Sequence, residues 1–170
     1  MDKGQHGRRD RLIQEKRHDA YQYREKLPEP TVCTKCRALF HSGRWTWDEV
    51  PAGAYITICP ACQRIEDDFP AGHIEIQGAF FKEHREEAHN LIHNTEKQEK
   101  GEHPQERIMT IAAEEDHTLV TTTGIHIARR VGEALKHSYQ GDLDFTYGDA
   151  ASKASALSGG VIKNLQAMPD

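Results

Sequence analysis

Four cysteines in two pairs, Cys33-Thr34-Lys35-Cys36 and Cys59-Pro60-Ala61-Cys62, limit the folds open to this chain more than any other feature. Two thiolates three positions apart can bite one metal ion through a tight knuckle turn. Two such knuckles complete a tetrahedral shell, the closed coordination of structural Zn2+. The 22 residues between the pairs leave room for an intervening hairpin. A thioredoxin-like redox site normally carries one such motif, not two. Thiols kept reduced in a cytosolic setting do not pair as disulfides. Ligand softness leaves iron open as the ion. With all four positions taken by protein sulfur, no place remains for a substrate or a reactive water, so the expected role of the metal is folding or docking.

Residues 31–72 form the module around this motif. "GRWTWDEVPAGAYITI" reads as a strand, a turn at "PAGA" and a second strand running into Cys59, the layout of a zinc ribbon. "CPACQRIEDD" alternatively opens a short helix with Pro60 at its first position, a treble-clef-like variant. Trp45, Trp47 and Tyr55 read as packing on the metal core, because so small a module has few other apolar groups to bury. Stacking on a nucleic-acid base is the alternative.

The chain has 170 residues, 36% hydrophobic and 29% charged, which fits a soluble protein of one or two small domains with disordered ends. No apolar run approaches the roughly 20 residues of a membrane span. The start "MDKGQHGRRDRL" lacks an apolar segment after its charges, so it is not a secretory signal, and a cytoplasmic location is expected. The net charge of −5 is uneven: +2 over 1–30, −1 over 31–72, −7 over 73–150 and +1 over 151–170. Residues 1–30 read as a disordered basic arm, either a solvated leader or a segment that orders against a partner. Arg8, Arg9, Arg11, Lys16 and Arg17 are its candidate phosphate contacts. "LPEP" ends any helix before Thr31. The small, Gly-rich stretch 150–170, "AASKASALSGGVIKNLQAMPD", reads as a flexible tail.

Residues 73–149 make a second unit. "HIEIQG" alternates as a strand does, and "AFFKEHREEAHNLIHNTEKQEK" repeats apolar residues at helical spacing until "GEHP". "ERIMTIAAEED" and "HTLVTTTG" form a hairpin, Ile125 to Tyr139 a helix, and "DLDFTY" a strand. The order βαββαβ is that of the ferredoxin-like split βαβ fold, so the expected class is α+β, with a four-stranded antiparallel sheet and both helices on one face.

Eleven histidines invite further metal sites. Glu86, His89 and His93 share a face of the first helix, though such a run is more often a solvated surface. There is no Ser/His/Asp order, phosphate-binding glycine loop or HExxH, so neither an enzyme nor a small-molecule substrate is expected. On the second helix, Ile127, Val131, Ala134, Leu135 and Tyr139 form an apolar stripe. The opposite side carries His126, Arg129, Arg130, Lys136 and His137, with Glu133 the lone acid. By itself this is a solvated face with helical ion-pair support. It is also the one basic element in an acidic unit, and the "TTTG" before it offers hydroxyls and N–H groups at a helix N-terminus, which suits a phosphate.

The segment "HTLVTTTGIHIARRVGEALKHSYQGDLDFTY" resembles the large-ribosomal-subunit nuclear export adapter family of eukaryotes and archaea. In that family a zinc-binding N-terminal region precedes a T-T-x-x-H-x-A-R-x-x-G-E-A-L…Y-x-G-x-L pattern. The chain is also similar to the short bacterial relatives of that family, which have a single zinc module. The resemblance spans about residues 31–149 and is most specific over 118–147. It implies association with the large subunit or its rRNA, in assembly, quality control or dormancy, and it draws attention to His126, Arg129 and Arg130; Lys136 lies on the same helix. The export adapter has further cysteine pairs, further β-domains and signal-bearing tails, so nuclear export is not carried over. The alternative is a protein–protein interaction adaptor that does not act on RNA.

Overall fold

The computed structural model describes Tyr21, Tyr23 and residues 25–115, 117–146 and 158–166. Strands β1 (Thr31–Cys33), β2 (Leu39–His41), β3 (Arg44–Thr46) and β4 (Tyr55–Thr57) form a sheet in the order β3-β2-β1-β4, and helix α1 (Pro60–Glu66) follows. The expected hairpin across "PAGA" does not form, because β3 and β4 lie at opposite edges. The hairpin is β2–β3 instead. Ser42 (φ 53) and Gly43 (φ 75) supply the two left-handed residues of its turn. The Glu29 carboxylate accepts both turn N–H groups, at 2.9 and 3.0 Å. Strand β4 pairs with β1 in parallel, from Thr31↔Tyr55 to Cys33↔Thr57. Parallel alignment brings both cysteine knuckles to the same end of the sheet. With α1 present, the module takes the helical variant.

The end of the basic arm packs on this module. The Tyr23 hydroxyl donates to the Ile58 carbonyl at 2.6 Å, and the Arg64 guanidinium lies 4.4 Å from the centre of the Tyr21 ring. These aromatics cover a module with little apolar surface of its own. Arg8, Arg9, Arg11, Lys16 and Arg17 lie outside the described residues.

The second unit runs β5 (Gly72–Gln77), α2 (Ala79–Glu83), α3 (Arg85–Glu102), β6 (Ile108–Ala113), β7 (His117–Thr122), α4 (Ile125–Ser138) and β8 (Gln140–Thr146). This is the split βαβ order, with the first helix broken into α2 and α3 at His84. Ile74 and Ile76 of β5 and Val120 of β7 meet Ile127, Ala128, Val131 and Leu135 of α4, with Phe81, Ala88 and Ile92 from α2 and α3. Each large aliphatic side chain buried there contributes about 1.5–3 kcal/mol.

The tail departs from expectation. Ser158–Gln166 forms strand β9, and the sheet has five strands in the order β6-β7-β5-β9-β8. β9 runs parallel to β5 and antiparallel to β8, with Gly160 in register between Ile74 and Phe145. Glycine weakens an isolated strand, which is why the stretch reads as loose. Hydrogen-bonded neighbours on both sides override that local preference.

Helix α4 starts from Gly124, which has no side chain to cap it. The cap comes from the loop between α3 and β6: Glu106 Oε2 accepts the Ile127 N–H at 3.0 Å. Its charge also suits the positive end of the helix. A phosphate at "TTTG" would meet this carboxylate, so the expected anion site is already filled. The Thr122 and Thr123 hydroxyls are likewise spent, on the Gly124 and Gln105 carbonyls. Glu106→Ala should therefore lower stability by about 1 kcal/mol, measurable as a shift of the urea midpoint. An unchanged midpoint would show that the cap carries no weight.

Candidate metal centre

Cys33 ends β1, Cys36 closes its knuckle, Cys59 caps α1 and Cys62 lies in that helix's first turn. The first knuckle is a tight turn in which the Arg37 N–H reaches the Cys33 carbonyl at 3.0 Å and the Cys33 N–H reaches the Ala38 carbonyl at 2.8 Å. In the second, Pro60 sets the first helical φ. The four sulfurs lie within 4.8 Å of one another, and none is in a disulfide. Cys36 and Cys59 Sγ are 3.7 Å apart. The edge of a tetrahedron of sulfurs with metal–sulfur bonds of about 2.3 Å is about 3.8 Å. The donor set and its spacing therefore fit a tetrahedrally coordinated metal ion.

The cluster is buried: Cys33 and Cys59 are fully enclosed and Cys62 nearly so. Burial pushes the Cys59 and Cys62 thiols up from their ordinary range. Burial acts on Cys33 in the same direction, but backbone N–H groups of Cys36, Cys59 and Lys35 outweigh it and hold that thiol at about 7. The Cys59 N–H points at Cys33 Sγ at 3.3 Å. Lys35 Nζ meets Glu66 at 2.7 Å and ties the first knuckle to α1 across the exposed rim.

One residue at this centre has no signature in the cysteine motif. Arg107, just before β6, is only 6% exposed. Its Nη2 lies 3.0 Å from Cys36 Sγ and 3.8 Å from Cys59 Sγ, and its Nη1 lies 3.3 Å from Cys62 Sγ. Nε donates to the Pro104 carbonyl at 2.7 Å, and the backbone N–H donates to Thr123 Oγ1 at 2.9 Å. Burial opposes the charge of this guanidinium, yet the sulfur contacts hold its pKa above the ordinary value. Four thiolates and a divalent ion leave a net charge of −2, and Arg107 offsets half of it inside the fold. The available signal was charge isolation: Arg107 is the only Lys or Arg between Lys100 and Arg129. Gln105 adds a second tie, accepting the Ala61 N–H at 2.9 Å, and Trp47 Nε1 a third, donating to the Lys100 carbonyl at 2.6 Å.

The aromatics divide. Trp45 is half-buried against the metal cluster and Phe40, whereas Trp47 is partly exposed and Tyr55 is mostly so. The face of Glu86, His89 and His93 does not converge on one point among the described residues. His89 turns toward Phe81, and burial lowers its pKa.

The cationic face of α4 is partly spent on structure. Glu99, 7% exposed on α3, accepts Arg130 Nε at 2.8 Å through Oε1 and contacts His126 Nε2 at 3.0 Å through Oε2. Burial opposes the Glu99 charge, but these two partners prevail and hold its carboxyl below the usual range. His126 and Arg130 thus clamp α4 to α3. Arg129 sits at 3.9 Å from Glu133, and Lys136 is exposed.

Among the described residues, no helix is long and apolar enough to cross a membrane. Comparison with known proteins adds no relative: no family model, no curated protein and no solved structure matches this chain.

Proposed function

We propose that this chain is a non-enzymatic Zn2+-binding factor of the cytoplasm that associates with the large ribosomal subunit through rRNA. The closed four-cysteine cluster, compensated by Arg107, carries the first half of this reading. An ion held there has no open position for chemistry and acts as a staple. Thiolate donors in a tetrahedral set favour zinc, with iron the chemical rival. The ribosomal half rests on the resemblance over residues 118–147. Arg129 and Lys136 are the helix cations outside the Glu99 clamp, and the arm residues Arg8, Arg9, Arg11, Lys16 and Arg17 would add phosphate contacts.

Co-sedimentation on sucrose gradients, at low and moderate salt and from growing and starved cells, tests the reading. Wild-type protein should migrate with the large subunit. Arg129→Glu with Lys136→Glu should release it, because the pair leaves the clamp intact. Removing one phosphate partner should lower the log–log salt slope by roughly 0.7–0.9. Migration at the top of the gradient in every condition, or binding indifferent to the charge reversal, would refute the RNA contact.

One observation favours a protein partner instead. Edge strand β4 exposes Tyr55 (58%) and Ile56 (74%) beside unpaired backbone groups. Ile56→Asp would abolish binding under that alternative and leave rRNA association unchanged under the first.

A further inference from the structure

A second group of metal-binding side chains converges where α3 ends and α4 begins. Glu99 lies in the last turn of α3, His103 caps that helix, and His126 is the second residue of α4. One ligand atom from each lies within 4.8 Å of the other two. The two imidazole rings meet edge-on, with centroids 5.9 Å apart. We propose that Glu99, His103 and His126 form a second metal site, for a divalent first-row transition ion of the Zn2+ or Co2+ type.

Three features support this beyond proximity. The set is two imidazoles and one carboxylate, the donor chemistry of Zn2+ sites that keep an open position. The carboxylate is held in advance: Arg130 Nε grips Oε1 at 2.8 Å, so Oε2 faces the imidazole of His126. Orientation of a ligand by an outer hydrogen bond is a recurring device of metal sites. A cleft of about 380 Å³ opens beside both histidines, lined also by Arg44, Trp45 and Glu106. It would hold the water or exogenous donor that completes the shell. The ion would replace the His126–Glu99 hydrogen bond, with His126 Nε2 presenting its lone pair and any proton on that nitrogen passing to solvent. It would pin α3 to α4 more firmly than that hydrogen bond does. The site is independent of the ribosomal reading and of the cysteine cluster, whose donors are all sulfur.

Cobalt separates the two sites. The untagged full-length chain, loaded with Zn2+ at its cysteines, would be titrated with Co2+ and followed by visible absorption and elemental analysis. The expected result is one Co2+ per chain with weak ligand-field bands, no intense thiolate-to-cobalt band and no loss of Zn2+. His103→Ala and His126→Ala should each abolish uptake while the cysteine-bound Zn2+ remains. His126→Ala also removes its half of the Glu99 clamp, so His103→Ala, at an exposed side chain, is the decisive variant. No cobalt uptake would overturn the site. So would thiolate bands, which assign the ion to the cysteines, or uptake retained in both histidine variants, which assigns it elsewhere on the chain.

Discussion

Removing the metal with a strong chelator is expected to unfold the cysteine module and leave the core of the larger unit standing. Apart from the cysteines, the module's buried apolar side chains are Val32, Ala38, Leu39 and Ala61, far too few for a stable core. Structural zinc contributes about 10–16 kcal/mol of apparent binding energy in comparable small modules. That exceeds or matches the roughly 5–15 kcal/mol by which whole domains are stable. The larger unit draws instead on Ile74, Ile76, Ile92, Val120, Ile127, Val131 and Leu135, all fully enclosed and all remote from the sulfurs in sequence. Amide hydrogen exchange reads the difference. Protection should vanish in β1, β2 and α1 and persist in β5, β7 and α4. Cys59→Ser should reproduce the pattern without a chelator. Protection of β1 surviving both treatments would mean that the cluster is not a staple.

Arg107→Met should have the second largest effect. Methionine keeps much of the apolar volume and removes the charge and the donors. Taking away one partner of a buried ion pair costs about 3–5 kcal/mol, because the remaining charge stays enclosed without compensation. Loss of an outer-shell partner lowers metal affinity by about 10–100-fold. Both quantities are measurable, by thermal unfolding and by competition with a chelator of known affinity. Arg107→Lys should recover only part of the loss. An ammonium restores the charge, but it cannot reproduce the planar fork that spans Cys36, Cys59 and Cys62. Equal affinity in wild type and the methionine variant would reduce Arg107 to a packing residue.

What the sequence makes legible here is local. A spacing of three between cysteines encodes a knuckle whatever surrounds it. Alternation in "HIEIQG" encodes a half-buried strand, and the Ile127, Val131, Leu135 stripe encodes a helix with one inward face. These patterns give the four-cysteine cluster, the α+β class and the βαββαβ succession from β5 to β8, but not β1 and β2, and not the place of β8, which β9 separates from β5. The features missed are those decided by distant partners. Strand β4 joins β1 rather than β3 because the knuckles must meet at one end of the sheet, which no dipeptide signal in "PAGA" records. Gly159 and Gly160 look like a linker until β5 and β8 stand on either side. His126 and Arg130 look like a surface row until Glu99, 27 and 31 residues earlier, draws them into a clamp. Arg107 reaches Cys62 across 45 residues, and its charge isolation in the sequence marks it without naming its partner.

The placement of β9 also sets an order of events. Its parallel pairing joins Gly72 to Ser158 and Ile76 to Ile162, so a long loop must close before the centre of the sheet exists. Loops of that length close at an entropic cost that slows folding more than it weakens the finished structure. The cysteine knuckles need no such wait, since their ligands all fall between Cys33 and Cys62. During synthesis the metal-bound module can therefore form on the ribosome while β5 and β8 still lack the strand that joins them. Until residues 158–166 arrive, both strands present open edges to the crowded space around the nascent chain.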